Sequence, residues 1–134
     1  MFAAMLLLIS IVALSQFALY YWRAILAGVA AQPVSERVLA AANLDSGRMA
    51  GQDFPKLAGF YELTPELVPG SRGLTLVRAY FRALEGLGAL SREHMPALAE
   101  WCERESVICA RYAAVQIDQR LQVNLALVAA WRSC

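Results

Sequence analysis

A chain of 134 residues with 59% hydrophobic side chains has room for one small domain beside whatever its most apolar stretch builds. Its 12 basic and 11 acidic residues are interspersed and leave a net charge of +1, which excludes the basic footprint of a nucleic-acid-binding protein. One His and three Cys without close pairs exclude a zinc ribbon and a thioredoxin-type CxxC site.

From Phe2 to Trp22 no side chain is charged at neutral pH. At about 1.5 Å per residue this run spans about 31 Å, which matches a hydrocarbon core of about 30 Å, so the pattern predicts a transmembrane helix. Tyr20, Tyr21, Trp22 and Arg23 follow as interface anchors: three amphipathic rings for the headgroup level and a guanidinium that reaches phosphates. The rival reading is a signal peptide, with small residues at Ala13-Leu14-Ser15 before Gln16 and at Val29-Ala30-Ala31 before Gln32. Against it, no Lys or Arg precedes the run, and the run exceeds the roughly 7–15 residues of a signal core. The Arg23 and Arg37 bias after the span predicts a cytoplasmic C-terminal part.

Within the span, Ser10 and Ser15 can bond back to helix carbonyls, whereas the Gln16 amide exceeds what its own backbone satisfies. Gln16 is therefore a candidate contact to another helix, with snorkelling to the interface as the alternative. No intramembrane His, Asp or Glu offers a haem ligand or a proton relay. Apolar character continues through Ala24–Ala31, where Ala24 and Gly28 place small residues at the four-residue spacing that lets a second helix approach. The anchor and its extension thus cover residues 1–32, with a break at Pro33.

Residues 33–134 form a membrane-proximal helical domain. A short helix is expected within 33–43, with Ser35 or Gln32 near its cap. The stretch 44–73 is an ordered, loop-rich wrap, punctuated by Gly and Pro yet carrying Phe54, Leu57, Phe60 and Tyr61. Within it, Asp53 before Pro55 predicts a helix over about Pro55–Tyr61, Thr64-Pro65-Glu66 suggests a further turn, and Pro69–Gly73 reads as a tight turn. Leu74, Val77, Phe81 and Leu84 recur at three and four, which predicts an amphipathic helix over 74–88 ended by Gly86 and Gly88.

The last element, 91–132, is a long helix opened at Ser91 or Pro96 and uninterrupted by Gly or Pro after that. Leu98, Cys102, Cys109, Ala113, Ile117, Leu121 and Val128 lie near one stripe, while Arg104, Arg111 and Asp118 repeat at seven on another. Cys102 and Cys109 share a face about 10.5 Å apart in rise, beyond disulfide reach. Glu100, Glu103 and Glu105 with Arg104 read as solvated helix surface, and His94 has no local partner for catalysis. Leu125, Val128 and Trp131 sit in an end that is apolar nearly all round and needs cover.

The expected fold is all-α: one N-terminal transmembrane helix, then a small helical domain with a loop-rich middle and a long C-terminal helix. No catalytic residue, metal ligand or cofactor site emerges. The expected function is a non-catalytic accessory or scaffold subunit of a larger membrane assembly. Its partners are the bilayer and other membrane-protein chains or further copies of itself, at Gln16, Ala24, Gly28, Leu125, Val128 and Trp131. A filament-forming, pilin-like subunit is the alternative, against which count the missing early acidic residue and the missing basic leader; a membrane-tethered thiol or hydrolytic enzyme ranks below both.

Overall fold

A computed structural model describes residues 1–44, 49–66 and 73–134. These form five α-helices and one 3-10 turn, with no strand among the described residues: α1 (Phe2–Ala30), α2 (Glu36–Ala41), the turn Gly51–Asp53, α3 (Phe54–Leu63), α4 (Gly73–Ser91) and α5 (Pro96–Ser133). The all-α architecture is therefore as expected, with one long apolar N-terminal helix and a long C-terminal one.

Helix α5 is the spine, and α1, α3, α4 and the 3-10 turn all pack along it. Its small buried residues, Cys109, Ala110, Ala113 and Ala114, let the neighbours come close, while Ile117 fills the space between them. From α3 and α4, Leu57, Val77, Phe81 and Leu84 complete the core, and Phe54 stacks on Phe81 at 4.4 Å. Helix α1 joins that core only at its end: Leu26 is 1% exposed and Ala30 is buried, whereas residues 2–21 are exposed throughout.

Several boundaries follow from single residues. Asn43 stands in left-handed conformation (φ 54) just past α2, where an Asn tolerates the backbone that closes a helix. Gly51 lies so close to α5 that a Cβ there would meet the Ser106 Cβ at 2.6 Å, so only glycine lets the 3-10 turn seat. Asp53 closes that turn by accepting from the Ala50 amide at 2.9 Å.

Two expectations need correction. Helix α4 runs through Gly86 and Gly88 to Ser91, packed on α5 as far as Gly88, where a Cβ would meet Cys102 Cβ at an ordinary contact distance of 3.5 Å. Ser91 ends the helix by donating its hydroxyl to the Leu87 carbonyl at 2.7 Å. The turn expected at Thr64-Pro65-Glu66 is not helical: Thr64 is extended, as a residue before proline prefers, and its hydroxyl donates back to Phe60 O at 2.9 Å to close α3. The Pro69–Gly73 turn lies outside the described residues apart from Gly73, which begins α4.

Candidate functional site

A buried carboxylate with three hydrogen bonds sits where α1 meets the domain. Glu105 of α5, 3% exposed, accepts from Arg23 Nε at 3.1 Å and from the same guanidinium's terminal nitrogen at 2.7 Å, both on Oε1. Its other oxygen accepts from the Tyr80 hydroxyl of α4 at 3.1 Å. Three helices thus converge on one carboxylate. Burial, reinforced by the Glu105 charge, pushes the Tyr80 hydroxyl well above its ordinary range, so it remains a donor across physiological pH.

Aromatic rings frame this contact. The Trp22 ring meets Tyr80 edge to face with centroids 6.4 Å apart, and the Arg23 guanidinium lies 5.2 Å from the centre of the Trp101 ring. Further along, the Ser35 hydroxyl donates to Asp118 at 2.6 Å and Gln119 donates to Gln32 at 3.0 Å, tying the chain around Pro33 to α5. Ser35 holds the N-terminal position of α2, but its hydroxyl serves α5 instead of capping.

Toward the far end of α5, Arg120 donates to the Tyr61 and Thr64 carbonyls, pairs with Glu66 at 3.1 Å and stacks 4.1 Å over the Tyr61 ring. Asn124 donates to Pro65 O. Past that point α5 runs bare, with Leu125 58%, Val128 48% and Trp131 83% exposed.

The residues expected to matter fall into two groups. Tyr20 and Tyr21 project outward, while Trp22 and Arg23 turn into the domain contact just described. Gln16, Ala24 and Gly28 are exposed, and a Cβ at Gly28 would meet nothing within 4 Å. At about 100° per residue, Gln16 lies about 80° from Ala24 and 120° from Gly28, so a straight α1 gives them separate lines rather than one seam.

Glu105 and Asp118 correct the sequence reading, which placed Glu105 on solvated helix surface and Asp118 on a stripe apart from the apolar one; both are buried. The signal was present: Glu105 falls three residues after Cys102 and four before Cys109, on the apolar stripe itself. Glu100, Glu103 and Arg104 are exposed as expected. Cys102 and Cys109 are buried and free. Burial and the nearby Glu105 charge push the Cys109 thiol up to about 12 and raise Cys102 too, which keeps both protonated and unreactive. His94 is exposed in the α4–α5 turn, and no cluster of metal-ligating side chains occurs among the described residues.

Two open grooves carry no comparable chemistry. One of about 380 Å³ lies between the 3-10 turn, α4 and α5, rimmed by Glu85, Arg92, Glu100 and Glu103. Another of about 370 Å³ runs between α3 and α4, beside the exposed Arg78–Glu62 pair at 2.7 Å.

Fold and site together define an all-α protein that has, among the described residues, one helix long and apolar enough to span a membrane, clamped at its end to a helical domain. No protein family, curated protein or solved structure matches the chain.

Proposed function

We propose that this protein is a single-pass, non-catalytic accessory or scaffold subunit of a membrane assembly, retained by an uncleaved α1, with its helical domain at the cytoplasmic face. The observation that carries the reading is that α1 divides into two surfaces along one unbroken helix. Residues 2–21 offer an exposed apolar surface suited to lipid, and Trp22–Ala30 supply core and clamp to the domain. Cleavage before Gln32 would remove Leu26 and Ala30 from the core and leave the Glu105 carboxylate without its cation, so the chain after that cut would be a damaged domain. A domain attached this way is held at a fixed attitude to the bilayer rather than swinging on a linker, which suits holding partners in register.

Partners have two surfaces on offer: the exposed Ala24 and Gly28 edge, and the bare end of α5 at Leu125, Val128 and Trp131. The test is purification of the full chain in mild detergent, as wild type, Gly28→Leu and Gln16→Leu. A defined complex with other membrane chains, weakened by Gly28→Leu and little changed by Gln16→Leu, is the expected result, since an interhelical hydrogen bond is worth about 0.6 kcal/mol and at most about 2. Polymers of this chain alone would support the filament alternative, and a monodisperse monomer would refute both.

A further inference from the structure

The α4–α5 hairpin tip leads back toward the side on which α1 would enter lipid. Along α1 and α5 the paired residues run in the same order, Arg23 with Glu105 and Gln32 with Gln119, so the two helices run in parallel sense. Helix α4 runs the opposite way, with Tyr80 against Glu105 and Gly88 close to Cys102. The C-terminal turns of α4 and the first turns of α5 therefore lie on the N-terminal side of the Arg23 level. From Arg23 to Gln32 the chain advances about 13 Å while α5 advances about 21 Å, so the helices are inclined. That inclination leaves the nine residues from Glu105 back to Pro96 reaching about 9 Å along the α1 axis.

The residues placed there are apolar and unpartnered. Leu87 is 42%, Leu90 79% and Met95 58% exposed. On α4, Tyr80, Ala83, Leu87 and Leu90 recur at three and four, and Tyr80 at the head of that line already faces α1 through Trp22. Exposed Arg92, Glu93 and His94 at the same tip would not tolerate the hydrocarbon core, but they suit the interfacial zone about 5–10 Å deep that amphipathic segments occupy at the headgroup boundary.

We infer that the α4–α5 tip is a second membrane contact, with Leu87, Leu90 and Met95 seated in the headgroup region of the leaflet that α1 enters beside Trp22. The contact rests on the reading of α1 as a membrane span, and it gives the domain two points of attachment, which fixes its rotation about α1 as well as its height.

Four variants of the full chain with one accessible thiol each, built on Cys134→Ser and carrying an environment-sensitive fluorophore, test this in phosphatidylcholine–phosphatidylglycerol vesicles. Leu90→Cys and Met95→Cys report the tip, Ile11→Cys the middle of the exposed run 2–21, and Leu63→Cys, 84% exposed at the opposite end of the domain, the solvent. The Cys134→Ser parent, with only buried thiols, serves as the unlabelled control. Nitroxide lipids labelled at the headgroup should quench most of the emission from positions 90 and 95 and leave position 63 unchanged, while acyl-chain nitroxides quench position 11. Quenching at 11 with positions 90 and 95 no different from 63 would overturn the tip contact and leave the span intact. Quenching of 63 to the same degree as 90 would overturn the placement of the hairpin, and no quenching at 11 would remove the span reading and the tip contact with it.

Discussion

Arg23→Leu is the most informative single change, because it separates a structural clamp from a headgroup anchor. The substitution leaves the Glu105 carboxylate, whose side chain is 4% exposed, with the Tyr80 hydroxyl as its remaining hydrogen-bond donor. Removing one partner of a buried ion pair costs about 3–5 kcal/mol; Arg23 is itself 46% exposed, so water reaches the vacated site and the expected loss falls to about 2–3 kcal/mol. Against a domain stability of about 5–15 kcal/mol that is a large fraction. Replacing both residues, Arg23→Leu with Glu105→Leu, removes the stranded charge and should restore stability to within about 1 kcal/mol of wild type. Urea unfolding of the full chain in detergent micelles, followed by tryptophan fluorescence and extrapolated to zero denaturant, measures wild type, Arg23→Leu, Glu105→Leu and the double variant. A loss below about 0.5 kcal/mol for Arg23→Leu, or a double variant as unstable as the sum of the singles, would refute the clamp.

Other consequences are as direct. Leu26→Ala should destabilise the domain by about 2–4 kcal/mol in the same urea assay, although position 26 lies in the anchor helix, because it empties a fully buried site. Gly51→Ala should cost about 1–3 kcal/mol, since the added Cβ must displace Ser106 and the 3-10 turn, and an unchanged midpoint would show that turn to be loosely seated. Among the cysteines, Cys134 should react with a thiol reagent under native conditions and Cys102 and Cys109 only after unfolding, with no disulfide ladder on nonreducing gels. A thiol raised in the fold from 9.0 to about 12 binds its proton more tightly folded than unfolded. The Cys109 contribution is therefore complete below pH 9.0 and lost as pH rises toward about 12, at up to about 1.4 kcal/mol per pH unit, which urea midpoints measured across that window would reveal. For topology, a reporter fused after Cys134 should be active in the cytoplasm, and activity only outside would reverse the orientation.

How far the sequence speaks depends on how local each signal is. The length and apolar character of α1 are legible from composition alone, and α4 from the three-four recurrence of Leu74, Val77, Phe81 and Leu84, because both patterns lie within one helix. The end of α4 is not legible, since Gly88 is as good a stop signal as a packing residue until Cys102 is placed beside it. Glu105 is the sharpest case. Its position between Cys102 and Cys109 marks a charge on an apolar stripe, but its cation is 82 residues away in the anchor, where Arg23 looks like a headgroup ligand. Asp118 repeats the lesson, with Ser35 83 residues distant. Neither separation has a periodicity to betray it, and only the packing of α1 and the Pro33 segment along α5 brings the partners together.

That α1 is at once the membrane span and part of the folded domain is tested most directly by the intact mass of the native protein recovered from membranes washed with alkaline carbonate. The expected result is a carbonate-resistant chain that retains Phe2 through Arg23. Recovery of a carbonate-soluble chain beginning at Gln16 or Gln32 would contradict it.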